Sequence, residues 1–202
     1  MARVELGVLY VLVCGGQPAH AVEPFVERSL AAGWDVCVIA TPSGTRFLDV
    51  ARLTELTGHP VRSEYKRPEE PDVLPPPDAF VVAPATFNTV NKLAAGISDT
   101  LVLGLVNEGL GAGRPILLAP FPNRDLARHP AFAASLAALR SWGVRVLFDE
   151  DDFAPVRPGE TATRDEAAGR DEAVASGPRF PWEALTAELA HLAAEVRARP
   201  TD

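Results

Sequence analysis

The chain alternates between short runs that are apolar throughout and longer stretches in which apolar residues recur every three or four positions. Residues 6–13 (LGVLYVLV) are a continuous β-type run, and 19–32 place Val22, Phe25, Val26, Ser29 and Leu30 on one helical face before Gly33. Residues 34–40 (WDVCVIA) predict a second strand, and 46–57 predict a helix with Leu48, Ala51, Leu53 and Leu56 facing inward. A short third strand is expected at 61–65 (VRSEY), then an exposed connection at 66–78, whose five prolines and several charges oppose regular structure. A fourth strand follows at 79–83, helical patterns near 89–96 and 99–110, and a fifth strand at 116–119. The amphipathic stretch 130–142, opened by Pro130 and closed by Gly143, precedes a last strand at 144–148. Residues 149–179 show no period, and 181–199 predict a helix that docks Leu185, Leu189, Leu192 and Val196.

Strands without a polar side, separated by helix-period segments, call for a parallel sheet covered on both faces. The expected fold is α/β: a doubly wound, Rossmann-like and flavodoxin-like parallel sheet sandwiched by helices, a single domain over residues 1–150. Residues 151–179 are expected to be a flexible flap or linker, and 180–202 a C-terminal helix docking on the domain. The 202 residues suffice for one core, and 47% apolar with 23% charged residues excludes wholesale disorder. A net charge of −8 leaves no basic face for a nucleic-acid backbone. The apolar run near the N-terminus contains Glu5 and ends in Cys-Gly-Gly, which does not suit a signal peptide. No apolar stretch reaches the ~18 residues of a membrane span, so a soluble, cytoplasmic protein is expected. Cys14 and Cys37 both fall on strands and match no metal-ligand spacing, so packing is their expected role and no metal is expected.

Ligands of such sheets bind beyond the carboxyl ends of the strands. The polar clusters fall at that edge: Cys14-Gly15-Gly16-Gln17-Pro18, Thr41-Pro42-Ser43-Gly44-Thr45, Pro84-Ala85-Thr86-Phe87-Asn88-Thr89 and Pro120-Phe121-Pro122-Asn123-Arg124-Asp125. The glycine pair lets backbone approach an anion, and the hydroxyls of the second loop add donors. A tight turn accounts for the glycines equally well, and Asn88-Thr89 also suits a helix N-cap.

The run PATFNTVNKLAAGISDTL at 84–101 resembles the PASANT-type motif of the homo-oligomeric flavin-containing cysteine decarboxylases, with Thr86 at the family's Ser or Thr and Phe87 in place of its small residue. PFPNRDLARHP at 120–130 is similar to the same family's P-x-M-N segment, with Pro120 and Asn123 in agreement. The resemblance implies FMN as cofactor, with Gly15, Gly16, Gln17, Thr41, Ser43 and Thr45 near its phosphate and Thr86, Phe87, Ser98 and Asp99 beside the flavin or substrate. It also implies a homo-oligomer, a trimer or multiple, acting on a small thiol acid or peptide. The implied reaction is flavin-dependent oxidation of a cysteine thiolate followed by loss of the neighbouring carboxylate.

Such chemistry needs an acid/base and a carboxylate clamp. By the same carry-over Asn123 is the clamp and Asn88 stands with it, while the family's catalytic histidine is replaced by Glu70. His129 reads as a helix-entry surface group, His20 lies near the glycine pair, and His59 and His191 read as turn and helix residues. Three readings stay open: a decarboxylase with an altered base, a non-catalytic FMN-binding regulatory or carrier protein, and a flavin prenyltransferase-like enzyme.

Overall fold

The computed structural model describes residues 6–148 and 180–199. Five strands, β1 (Val8–Val13), β2 (Asp35–Ala40), β3 (Ala79–Ala85), β4 (Ile116–Pro120) and β5 (Arg145–Val146), form one parallel sheet in the order β2-β1-β3-β4-β5. Register is set by facing pairs such as Val11 with Val38 and Val81, and Val81 with Leu117. Successive side chains of a strand point to opposite faces, and here both faces are covered. Leu9, Val11, Val13, Val38, Val81 and Leu117 enter one core with Phe25 of α1 (Glu23–Ala32), Leu53 of α2 (Val50–Thr57) and Leu185, Leu189 and Leu192 of α7 (Trp182–Ala198). Tyr10, Leu12, Cys37, Ile39, Phe80 and Leu118 enter the other. They meet Val90 and Leu93 of α3 (Phe87–Ala94), Val102 and Val106 of α4 (Leu101–Gly111), and Phe132 and Leu139 of α6 (Pro130–Ser141). A four-residue α5 (Arg124–Ala127) follows β4. The strands read as unbroken apolar runs because neither side of the sheet meets water.

Several expectations change. Residues 61–65 do not form a strand: only a bridge from Arg62 to Ile39 remains. Arg62, Ser63 and Glu64 offer no apolar face, and Tyr65 turns away to donate its hydroxyl to the Ser98 and Thr100 carbonyls at 3.1 and 3.0 Å. Its phenol rests on Gly104, where a Cβ would stand 2.0 Å from the hydroxyl. The strand expected at 144–148 is only Arg145–Val146, although the Leu147 N–H still reaches the Leu118 carbonyl at 2.8 Å. The first and second helices each open with a separate 3-10 turn, Gln17–Ala21 and Gly44–Phe47. The flap expected at 151–179 lies outside the described residues. The last helix docks as expected, with Val196 at the margin of its core.

Helix α7 is also held by Arg145, whose guanidinium donates to Glu188 and Glu195. The Arg145 hydrogen bond, opposed by desolvation and aided by His191, lowers the Glu188 carboxyl below the usual range. A folded-state pKa that is depressed contributes stability above the unfolded value, near 4.3 for Glu, and loses it as pH falls through the folded value. Glu188 keeps a quarter of its side chain exposed, so Glu188→Gln should cost about 0.2–1 kcal/mol at pH 7. In thermal unfolding across pH, the gap between wild type and variant should close below about pH 4.

Candidate functional site

The order β2-β1-β3-β4-β5 sends the chain leaving β1 to one side and the chain leaving β3 to the other, which opens a crevice beyond their carboxyl ends. Backbone bonds tie the loops there: Cys14 N–H to the Pro84 carbonyl (3.1 Å), Thr41 N–H to Val13 (2.9 Å) and Phe121 N–H to Ala85 (2.9 Å). The four polar loops therefore meet. Gly15 is pressed against Ser43, where a Cβ would stand 2.8 Å from its Oγ, and a Cβ on Gly44 would stand 2.5 Å from the Val13 carbonyl oxygen. The first contact needs glycine on the β1 loop and the second on the β2 loop. Among the described residues the N–H groups of Gly15, Gly16 and Gln17 form no hydrogen bond, which suits an anion.

The hydroxyls of the 41–45 loop divide by task. Thr41 Oγ1 accepts the Gly44 N–H at 3.1 Å, and Thr45 Oγ1 donates to the Pro42 carbonyl at 2.8 Å, so both shape the loop from within. Ser43 is exposed, with Thr41 Oγ1 3.3 Å away. Once Thr41 donates its proton to Ser43, the Ser43 hydroxyl can donate outward.

Thr86, rather than Asn88 or Thr89, caps α3: its Oγ1 accepts the Thr89 N–H at 3.2 Å. The same oxygen lies 2.9 Å from Thr89 Oγ1, which donates to Cys14 Sγ at 3.3 Å. Cys14 and Thr89 are buried. Burial pushes the Cys14 thiol up, against the lowering effect of the Thr89 hydroxyl and the Thr86 backbone N–H. Cys37, also buried, is pushed up to about 12, first by desolvation and then by Asp35. The half-buried Phe87 ring stacks on Phe132 at 5.9 Å and meets the His129 ring edge-on at 5.5 Å. Asn88 is exposed on the first turn of α3.

Asn123 caps α5 by accepting the Leu126 N–H through Oδ1 at 2.9 Å. That bond turns the amide so that its Nδ2 remains a donor, without a partner among the described residues. His129 caps α6, its Nδ1 accepting the Ala131 N–H at 3.1 Å. A neutral imidazole in that role carries its proton on Nε2. The sequence places this histidine nearest the crevice but reads it as a surface group; the contact that sets its ring against Phe87 of the PASANT-like loop joins α3 to the start of α6.

Three other expected residues sit apart from the crevice. Ser98 and Asp99 follow the far end of α3, roughly 12 Å along its axis from Thr86 at 1.5 Å per residue. There Asn107 donates to Ser98, and Lys92 pairs with Asp99. Glu70 lies exposed in the connection, its carboxylate accepting the Arg67 N–H at 3.1 Å. Two concavities open elsewhere: a groove of about 430 Å³ at the amino edge beside Arg114, Trp142 and Arg199, and a cleft of about 220 Å³ between the connection and α4. Neither contains a residue of the four loops. Among the described residues, unpaired donors mark the carboxyl edge: the N–H groups of Gly15, Gly16 and Gln17 and the Nδ2 of Asn123.

The chain belongs to the flavoprotein family, whose model matches residues 9–175. It is 32% identical over 137 residues to the coenzyme A biosynthesis bifunctional protein CoaBC of Bacillus subtilis (strain 168), covering 64% of this chain and 33% of the relative. The chain thus spans about a third of the length of that relative. It is 27% identical to the FMN-dependent cysteine decarboxylase TvaF from thioviridamide biosynthesis, with a TM-score of 0.61 over 73% of this chain and 93% of that one. The FMN-binding protein AtHal3 shares the fold at 18% identity, with a TM-score of 0.65 over 96% of this chain and 100% of that one. No described helix is long and apolar enough to cross a membrane.

Proposed function

We propose that this chain binds FMN at the carboxyl-edge crevice and uses it to oxidise a cysteine-type thiol acid or a peptide ending in cysteine, with loss of carbon dioxide. The observation that carries the reading is the double glycine contact, Gly15 on Ser43 and Gly44 on the Val13 carbonyl. A side chain at either position would fill the space that brings free N–H groups together. The residues fit a phosphorylated cofactor. Gly15, Gly16, Gln17 and Ser43 would hold the phosphate, Thr41 and Thr45 would keep their loop in shape, and Thr86 would meet the ring's polar edge. When bound, FMN supplies a two-electron acceptor.

The rest falls to the chain's own groups. The substrate thiol loses two electrons and two protons in becoming a thioaldehyde, and its β-carboxylate then leaves as carbon dioxide. Asn123 Nδ2 would donate to that carboxylate without adding charge. Asn88, at the free end of α3, would add a second amide. For the proton, Glu70 is bound locally to Arg67, whereas His129, exposed against Phe87, has Nδ1 engaged by the Ala131 N–H and Nε2 left to exchange a proton. Ser98 and Asp99 would serve the crevice of a second copy, in keeping with a homo-oligomer, and the expected setting is the cytoplasm. The local tie of Glu70 favours a second reading, an FMN-binding protein without decarboxylase activity.

The purified protein is expected to show a flavin band in the visible that an anaerobic thiol acid bleaches. Thr86→Val with Ser43→Ala should weaken FMN on the order of tenfold, each losing about 0.5–1.5 kcal/mol of net hydrogen bonding. A colourless protein that leaves the fluorescence of added FMN unquenched would overturn the flavin reading. A yellow protein that no thiol acid bleaches would leave the second one.

A further inference from the structure

Resting on the FMN reading, we propose that Cys14 is a positioning residue: as the acceptor for Thr89, its sulfur fixes the direction of a buried hydrogen-bond chain, so that Thr86 offers the crevice an acceptor and not a donor. Thr89 has one hydroxyl proton, and it goes to Cys14 Sγ at 3.3 Å. The 2.9 Å contact between Thr86 Oγ1 and Thr89 Oγ1 needs a proton between the oxygens, and only Thr86 can then supply it. Thr86 Oγ1 also accepts the Thr89 N–H at 3.2 Å. One lone pair remains, and it is the only polar feature the side chain has left. The environment holds this arrangement: Cys14 and Thr89 are 1% and 6% exposed, so water cannot substitute for the sulfur. Burial keeps the thiol neutral, and its sulfur accepts the Thr89 proton while its own S–H is only a weak donor.

Removing the sulfur reverses the chain. In Cys14→Ala the Thr89 proton has Thr86 Oγ1 as its acceptor, which releases the Thr86 proton to point outward. A residue that does not touch the ligand thereby changes what the ligand meets. The polarity matters because flavin gains ring N–H on reduction: an acceptor at Thr86 favours the reduced form, and a donor favours the oxidised form.

The test has two arms. In protein freed of flavin, the S–H infrared band of Cys14, assigned by its loss in Cys14→Ser with Cys37 as reference, should shift in Thr89→Val and stay in place in Thr89→Ser. With FMN, Cys14→Ala should lower the affinity for reduced relative to oxidised FMN by about threefold to tenfold, the range of one hydrogen bond. Loss of packing alone would weaken both forms together and leave the ratio unchanged. An unshifted band in Thr89→Val overturns the hydrogen-bond chain whatever binds. A shifted band with an unchanged ratio overturns the role toward the ligand. Failure of the wild type to bind FMN defeats the functional reading, and this role with it, while the band still reports on the chain.

Discussion

Gly44→Ala is expected to destabilise the protein by about 1–3 kcal/mol, the usual range for overpacking, and to weaken FMN binding by more than tenfold. The new Cβ would stand 2.5 Å from the Val13 carbonyl oxygen and 3.0 Å from Thr41 Oγ1. The first is backbone at the end of a central strand, paired on both sides, so the 41–45 loop must move instead. Its movement breaks the Gly44 N–H bond to Thr41 and carries Ser43 away from Gly15. Thermal unfolding should show a midpoint lower by several degrees, at about 2–4 °C per kcal/mol for a chain of this size. Gly111→Ala is the control: nothing lies within 4 Å of a Cβ there, and alanine suits the end of α4. A Gly44→Ala protein as stable and as yellow as the control would show that the two loops do not form the cofactor cradle.

Substitution of Asn123 should separate the cap from the clamp. Asn123→Ala loses the Leu126 N–H bond and should cost about 1 kcal/mol of stability. It should also slow anaerobic bleaching by a thiol acid on the order of tenfold to a hundredfold, since a hydrogen bond to a charged group is worth about 1.5–3 kcal/mol. Asn123→Asp is more informative. Aspartate caps as well as asparagine, so the unfolding midpoint should stay near wild type. Its second oxygen, though, replaces the free Nδ2 donor with a negative charge facing the substrate carboxylate, and bleaching should fall at least as far as in Asn123→Ala. An aspartate variant that bleaches at the wild-type rate would remove Asn123 from substrate binding.

Much of the fold is legible in the chain because its cause is local. Val8–Val13 and Ile116–Pro120 are apolar at every position, the pattern of a strand buried on both faces. Leu185, Leu189 and Leu192 recur at helical spacing and are the residues that dock. VRSEY misleads because β-propensity depends on what a strand packs against: beside the edge strand β2 only Arg62 found a partner, while Tyr65 found the seat at Gly104. The cap of α3 was misplaced by two or three residues for a similar reason. Thr86 and Thr89 both suit the role, and the fixed end of β3 decides between them.

The sequence by itself determined that polar loops follow the buried strands, and hence that their polar groups gather at the carboxyl edge, because apolar runs and the glycine, serine and threonine residues after them are properties of neighbours in the chain. Only the tertiary structure decided which of those groups face outward. Thr41 and Thr45 bond to their own loop's backbone, Ser43 touches only the Thr41 hydroxyl and keeps its proton for the crevice, Asn123 presents Nδ2, and Cys14 accepts from a threonine seventy-five positions away. Ser98 and Asp99, although close in sequence to Thr86, lie beyond the length of α3. A hydroxyl or amide is free or engaged according to what stands within about 3 Å of it, and across a parallel sheet those neighbours come from other strands and their crossovers.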